Sequence, residues 1–489
     1  MISNDLEQNI YILEKNFMDC GDFIIKKIPF GKSGENIFFV VAYIDMLIDR
    51  ELIDTQIITR LTRNLSGFSR INILSEIKNY GITTADFQEE KEINKINIEI
   101  MSGNTVLLFG GLDKAIIVSS KKFPSRGIES CEIESVVYGS KDSFTESMRK
   151  NTALIRRRIR DINLKIKQIK IGQRSQTDIA IVYLKNIARD KIVNNVINRL
   201  KEIDIDAILD IGYLQQFLDL SWKSIFPQSQ LTERPDKSAS AILEGRVVII
   251  CDNSPFVLII PATLPTFFQS SEDYYERWQI MNFLRIMRYI SAIVSVCLPG
   301  FFLALTLYHP NMIPIELVLK LAEARKNVPF SSFWEIIIME LAFELLREAG
   351  IRLPNPIGST IGIVGGIIIG QSAVEAGLVS PIIIIIIALT AICSFCIPNA
   401  SFVSALRLLK YFIIIFSGLF GLYGFLIANL IILTHLASLK SFGIPYLYPI
   451  VSGEINNFND LEDTFFRLPI FKMKKRPIFA NQNKNIRQK

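Results

Sequence analysis

Between Pro354 and Phe416 the chain runs through long apolar stretches with very few charges, and glycine recurs inside them at a fixed spacing. Such a stretch is best satisfied in hydrocarbon, where a helix pairs all of its own backbone groups. Gly358, Gly362, Gly366 and Gly370 fall every four residues on one helical face, with Gly365 beside them. Small-residue ladders of this kind let neighbouring membrane helices approach closely, as in a packed bundle or a ring of subunits. Offset from the ladder runs a second stripe, Val364, Ile368, Gln371 and Glu375, ending in two polar groups. Polar groups at such depth face a bundle interior or water. Two readings stay open: a pore-lining stripe, and interhelical hydrogen bonding by Gln371 and Glu375.

The 489 residues divide unevenly around this stretch. Residues 1–150 and 151–280 mix charge and hydrophobicity as globular α/β domains do, 281–440 are membrane-like with four or five spans, and 441–489 form a polar, basic tail. Met1 to Asn9 carries no apolar core of a signal peptide, so the soluble half is expected in the cytoplasm. The six cysteines lack the spacing of a secreted disulfide framework. A net charge of +6 is modest and locally clustered, fitting a positive-inside bias better than nucleic-acid binding.

The soluble half contains an internal echo. Val41-Ala-Tyr-Ile, ending at Arg60-Leu61, resembles Ile181-Val-Tyr-Leu, ending at Arg199-Leu200. Downstream, Gly103-Asn-Thr-Val-Leu-Leu-Phe followed by Ala115-Ile-Ile-Val resembles Gly245-Arg-Val-Val-Ile-Ile-Cys followed by Phe256-Val-Leu-Ile. Tyr43 precedes Gly103 by 60 residues and Tyr183 precedes Gly245 by 62. The pattern predicts two related α/β subdomains, each with a strand, a helical stretch and a β-hairpin. Between the copies, Ile155, Ile159, Ile162, Ile166 and Ile169 share the spacing of one helical face amid Arg156, Arg157, Arg158, Arg160, Lys165, Lys167 and Lys170, which predicts a basic amphipathic helix. No aromatic residue interleaves those charges to stack on bases.

Catalytic signals are weak. Gly31-Lys32-Ser33 lacks the first glycine of a phosphate-binding loop, Lys26 standing there, and an apolar strand pattern follows. The two histidines, His309 and His435, both sit near ends of membrane segments, so no histidine triad or metal cluster is expected in the soluble domains. Neither a cofactor nor an enzyme activity is expected.

Phe226-Pro-Gln-Ser-Gln-Leu-Thr-Glu-Arg-Pro-Asp236, Glu344-Leu-Leu-Arg-Glu-Ala-Gly-Ile-Arg-Leu-Pro354, the Gly362-Ile-Val-Gly run, Ala373-Val-Glu-Ala-Gly377 and Ser438-Leu-Lys-Ser-Phe-Gly-Ile-Pro-Tyr446 occur in this order. Together they resemble the A subunit of the GerA-type spore germinant receptors, over roughly residues 180 to 450 and, by order of segments, further upstream. The resemblance implies a nutrient-sensing receptor of the spore inner membrane that triggers germination. It implies partners as well: a transporter-like B subunit, expected to bind nutrient, and a lipoprotein C subunit. The A subunit is expected to oligomerise and conduct ions. Glu233, Arg234, Pro235 and Asp236 match the family's motif without revealing individual roles; a turn that fixes the domain against its neighbour or the membrane is the plainer reading.

In the membrane half, Arg277, Arg285 and Arg288 lead into an apolar segment from Tyr289 to Tyr308, about the length that spans a ~30 Å core. Ile313 to Val328 is too charged to span and is expected at the interface. Phe330 to Gly350 carries Glu340, Glu344 and Glu348 on one face, so it lines water as a vestibule or pore-flanking helix, or lies at the interface. Ile357 to Ala376 and Ser380 to Cys396 form a hairpin, and Phe412 to Leu436 is read as the last span. Cys393 and Cys396 lie in an apolar run without further metal ligands. Arg407 and Lys410 before that span, and Lys472, Lys474, Lys475 and Arg476 after it, all favour the cytoplasmic side, a conflict that one intervening span cannot resolve. The leading expectation is a nutrient-gated channel subunit; a scaffold for the partner subunits and a transporter component are the rivals, the latter lacking a paired pattern of interrupted helices.

Overall fold

β-Branched runs build the first half of the chain in duplicate. The computed structural model describes residues 1–30, 37–64, 87–122, 131, 133–352, 366, 370–451, 462–481 and 486–488. The first sheet holds β1 (Phe23–Phe30), β2 (Ile37–Ile44), β3 (Phe87–Glu90), β4 (Thr105–Phe109) and β5 (Ala115–Val118), in the order β1-β2-β4-β5-β3. The second holds β6 (Leu164–Ile171), β7 (Thr177–Leu184), β8 (Gln230–Thr232), β9 (Val247–Cys251) and β10 (Val257–Ile260), in the matching order β6-β7-β9-β10-β8. All of their pairings are antiparallel. Tyr43 and Tyr183 stand on the second strand of each sheet, and Gly103 and Gly245, at φ of +87° and +92°, turn each chain into the hairpin. A Cβ at Gly103 would meet the Leu47 carbonyl oxygen at 2.8 Å, so the turn requires glycine for space as well as for its left-handed backbone.

Period-2 alternation explains why both faces are covered. In the first sheet Phe39, Val41, Tyr43, Leu107 and Phe109 join one core, while Val40, Ala42, Ile44, Val106 and Leu108 join the other. A π-helical turn at Leu52–Ile58 continuing into α2 (Thr59–Asn64) packs on the first of these, and α1 (Leu6–Asn16) and α3 (Ile93–Met101) on the second. The second sheet is covered likewise by α5 (Asp190–Lys201) and α6 (Ile211–Leu218) on one face and by α4 (Met148–Arg158) and α7 (Pro235–Leu243) on the other.

The basic amphipathic helix expected over residues 155–170 is not formed. α4 stops at Arg158, the Asp161 carboxylate captures the Asn163 backbone N–H at 2.8 Å, and the remaining alternating residues become β6. Isoleucines three and four apart fit a helix face, but Leu164, Ile166 and Ile171 fit a strand as well, and the Asx turn decides. Nor is the basic face uniformly solvated: Arg157, Arg160 and Lys170 are exposed, but Arg156 is fully buried, holding Asp22 through Nε and Nη2 at 2.6 and 2.8 Å, and so ties α4 to the first sheet.

The second half is helical: α8 (Trp278–Tyr308), α9 (Ile315–Ala324), α10 (Ser332–Arg352), α11 (Pro381–Phe395) and α12 (Ala400–Ser438). Among the described residues, α8 and α12 are long and apolar enough to cross a membrane. α12 is not one rod. Gly421 sits at φ 62°, ψ −139° within it, and a Cβ on Gly424 would run into the Phe416 carbonyl oxygen. Phe402 and His435 both lie against the Phe226 ring, at 6.2 and 6.0 Å between centroids. A straight helix would hold those two residues about 50 Å apart. The chain therefore doubles back at Gly421 into two arms, residues 400–420 and 422–438, and the expected single span at Phe412–Leu436 is corrected to this pair. Three apolar turns on either side of one left-handed glycine look continuous in sequence.

The C-terminal segment is not an independent polar tail. Phe442, Ile444, Tyr448, Ile478 and Phe479 complete the core of the second sheet. β11 (Lys440–Ser441) and β12 (Ile444–Pro445) form a small hairpin there, and the Asn481 N–H reaches the Ile187 carbonyl at 2.7 Å.

Candidate functional site

The two halves meet through polar groups that the sequence places beside the first long helix. Glu233 follows edge strand β8, Arg234 is the N-cap of α7 and Pro235 its first residue, where a missing N–H costs nothing. Glu233 Oε1 accepts the backbone N–H groups of Ile133 and Glu134, both at 2.8 Å. Arg234 donates to the carbonyls of Glu134 and Ser140 at 3.0 and 2.9 Å and grips Asp236 through Nε and Nη2. Asp236 then accepts the Tyr275 hydroxyl at 2.6 Å, three residues before α8 begins. Burial and the Asp236 carboxylate together raise the Tyr275 phenol above its ordinary range, keeping it a donor. The motif thus pins residues 133–140 to the second sheet and reaches the base of α8. Beside it opens a cavity of about 570 Å³, lined by Arg158, Lys237, Glu244, Arg246, Tyr274 and Arg487 among others.

One turn further along, Arg285 is fully buried. Its guanidinium holds Asp273 through Nε and Nη2 at 3.2 and 2.9 Å, and through Nη1 takes the Asp463 carboxylate at 2.8 Å and its carbonyl at 3.0 Å. Arg288 binds the same Asp273 at 2.8 Å, and Tyr274, its phenol pushed well up by burial, donates to Asp463 at 2.6 Å. Arg467 lies over the Tyr274 ring at 5.5 Å, and its N–H reaches Asn282 at 2.6 Å. Three parts of the chain therefore converge on α8: the turn Ser271–Tyr274, the helix itself and the C-terminal segment. Aromatic rings fill the space alongside, with Phe268 stacked on Tyr289 at 4.1 Å and Phe267 on Phe402 at 5.4 Å.

A second set of charges lies among the membrane-like helices. On α10, Glu335 pairs with Arg325 at 3.2 Å and accepts the Ser380 N–H at 2.8 Å; Glu340 pairs with Lys410; and Glu344 pairs with Arg407 at 2.6 Å. Glu335 and Glu340 are both buried. Several atoms of this ladder lack a hydrogen-bond partner, among them Glu340 Oε1, Arg347 Nε and Arg407 Nε. Among the described residues no group of three or more His, Cys, Asp or Glu is arranged to hold a metal ion.

Comparison with known proteins bears on both sites. Residues 11–479 match the family described as Bacillus/Clostridium GerA spore germination protein. The chain belongs to the GerA family. It is 38% identical to Spore germination protein KA of Bacillus subtilis (strain 168), over 100% of this chain and 89% of that one. It is 36% identical to Spore germination protein B1 of the same strain over 100% of both chains, and 38% identical to Spore germination protein GerLA of Bacillus cereus over 83% and 82%. Among solved structures, the N-terminal domain of the A subunit of the Bacillus megaterium spore germinant receptor GerK3 aligns at 29% identity. That match has a TM-score of 0.42 and covers 54% of this chain and 97% of that one.

In this GerA-family chain the candidate residues separate into distinct places. Glu233, Arg234, Pro235 and Asp236 come together at the junction. Glu340 and Glu344 turn onto the first arm of α12 as ion-paired groups within one chain. Gln371 and Glu375 lie on one exposed face, with Gln371 Nε2 donating to Glu375 at 2.9 Å. Gly370 packs toward Ile384, whose Cγ2 would lie 3.6 Å from an added Cβ, whereas an added Cβ on Gly366 would meet nothing. Val364, Ile368, Gly358 and Gly362 lie outside the described residues, as does the Gly31-Lys32-Ser33 segment. Sequence reading missed Asp273 and Asp463, which come from segments 190 residues apart in the chain; the available signal was Arg285 and Arg288 on one face at the foot of an apolar helix.

Proposed function

We propose that this GerA-family protein is the membrane subunit of a nutrient-responsive spore germinant receptor, not an enzyme, and that copies of it assemble around an ion path. The stripe Val364, Ile368, Gln371 and Glu375 lines that path. One observation carries the channel reading: Gln371 and Glu375 are exposed on a single chain although they stand in a membrane-like segment. Polar groups there need water or another subunit. Among the described residues nothing lies within 4 Å of an added Cβ on Gly366, which leaves room for a neighbouring helix to approach that same segment.

The junction supports one topology. The soluble α/β module and the C-terminal segment share one core, so both lie on the same side and the number of crossings is even. Among the described residues α8, α10, α11 and the two arms of α12 are five candidate crossings, and the apolar run that the sequence places at 357–376 would make a sixth, with α9 at the opposite surface. Arg407 and the basic tail then both lie toward the cytoplasmic side, since two arms separate them rather than one. Nutrient is bound by the transporter-like B subunit, the lipoprotein C subunit completes the receptor in the spore inner membrane, and the Arg285 junction passes the change of state into the helices.

The test is single-channel current across a planar bilayer holding the purified protein, comparing wild type with Gln371→Leu and Glu375→Gln. Discrete currents whose conductance or ion selectivity changes in those variants support the reading. Currents identical in all three proteins remove the stripe from the path. Silence from folded oligomers, with and without partner subunits and nutrient, favours a scaffold, which would tolerate changes at Gln371 but not at Gly366.

A further inference from the structure

We propose that the surface formed by α6 and the loop to Ile225 lies on the lipid headgroups, so that the soluble module touches the membrane away from its covalent connections. The inference rests on the membrane reading above. Tyr213 and Phe217, one helical turn apart, are 41% and 44% exposed, and Trp222 and Ile225 are 78% and 42% exposed. The same helix buries Ile211, Leu214 and Leu218 into the module, so its outward face is a second apolar face rather than a misplaced core. Tyrosine and tryptophan concentrate where apolar chains meet headgroups.

Position fixes the occupant. Ser224 Oγ lies 2.9 Å from His435 Nε2, and the Phe226 ring is 6.0 Å from the His435 ring. His435 stands in the last turn of α12, and Leu430 and Leu433 just before it are 61% and 58% exposed, as lipid-facing side chains are. Leu433 is two residues, ~3 Å of helix rise, from His435. Trp222 is two residues from Ser224, at most ~7 Å of chain. A headgroup layer roughly 5–7 Å deep per leaflet, the difference between core and full bilayer thickness, therefore takes in this surface.

Charge agrees with that placement. Between Tyr213 and Ile225 the charged residues are Asp219 and Lys223. Asp219 turns inward to accept the Ser229 hydroxyl at 3.1 Å, and Lys223 lies over the Trp222 ring at 5.2 Å, free to reach a lipid phosphate.

The test uses the full chain in phosphatidylcholine–phosphatidylglycerol nanodiscs, with Trp278→Phe and Trp334→Phe leaving Trp222 as the lone tryptophan. Blue-shifted emission, loss of intensity in discs of acyl-brominated lipid and little quenching by aqueous iodide are expected. A second protein with Trp222→Phe and Leu430→Trp in the same background reports the helix arm. Lipid quenching at position 430 but not at 222 overturns the surface contact while leaving the membrane reading intact; iodide quenching of Trp222 then shows a solvent-facing surface, and protection from both quenchers shows a protein partner or a second copy covering it. Absence of lipid quenching at both positions removes the membrane reading as well.

Discussion

The buried charges at the junction and those between α10 and α12 are built to different standards. At the junction every nitrogen of the Arg285 guanidinium has an oxygen partner, Asp273 serves two arginines, and Asp463 takes a tyrosine hydroxyl besides. Between the helices, Glu340 Oε1, Arg347 Nε and Arg407 Nε are left without a hydrogen bond. Orphans at the junction, Arg467 Nη1 and Ser271 Oγ, lie outside the guanidinium of Arg285 itself, and a satisfied buried centre of that kind holds one geometry, because any rearrangement strands a charge. A partly satisfied ladder has less to lose by changing register. The connection around Arg285 is thus the more rigid of the two and the helices it joins are the freer to move, which is what the proposed relay into the helices would use.

The largest effect is expected at the rigid end. Arg285→Ala leaves Asp273 buried beside Arg288 alone and Asp463 without its cation, and breaking such a pair costs about 3–5 kcal/mol. Thermal melting of the full chain in detergent should drop accordingly, with little folded protein recovered. Melting unchanged from wild type would mean that the junction is held by its aromatic stack instead.

A double-mutant cycle at Glu340 and Lys410 sets the other side of the comparison. Glu340→Gln and Lys410→Met each destabilise, while the pair together recovers most of the loss, giving a coupling of about 1–3 kcal/mol. A coupling as large as that between Arg285 and Asp273 would erase the contrast. Gly421→Ala tests whether the turn joining the two arms is as exacting as the junction. An L-residue at its left-handed φ costs about 1–2 kcal/mol, and a Cβ would meet the Tyr308 ring at 2.8 Å. Shifted melting together with a changed protease pattern between residues 415 and 425 is the expected readout.

How much of this could be read from sequence divides along the same line. The two α/β sheets were legible because β2, β4, β7 and β9 are continuous apolar, β-branched runs, a local signal, and Tyr43 and Gly103 recur as Tyr183 and Gly245. The segment at residues 159–170 was misread because isoleucine spacing there satisfies both periods, and only the Asp161–Asn163 turn separates them. Glu233 to Asp236 stood out as a motif, yet its partners Ile133, Ser140 and Tyr275 could not be named, since a backbone N–H and a backbone carbonyl leave no trace in composition and the Tyr275 hydroxyl comes from a separate segment. The hairpin at Gly421 was hidden for a related reason: hydrophobicity reports that a run is apolar and says nothing of its direction. Arg407 and the basic tail held the missing information, as a charge-sidedness conflict that only a reversal within α12 removes.

Asp219 offers the smallest and most selective perturbation, because it is a carboxylate at the junction that, unlike Asp273 and Asp463, faces no cation among the described residues. Burial pushes its pKa up to about 6 against the hydrogen bonds from Ser229 and the Gln228 backbone. Between the ordinary carboxylate value, roughly 4, and that raised value the folded state binds more protons than the unfolded state, so stability falls as pH rises across the interval. Above it the ionised group remains a standing cost. Asp219→Asn keeps an acceptor for Ser229 without the charge, so it should flatten the melting temperature between pH 4 and pH 6 and raise it at pH 8. The melting of Arg285→Ala should partly recover as pH falls across the same range, since the stranded Asp273 and Asp463 carboxylates, left buried without that cation, can be neutralised by a proton. If Asp219→Asn instead lowers stability at pH 8, the carboxylate is held ionised by a favourable partner, and the junction is cation-satisfied throughout.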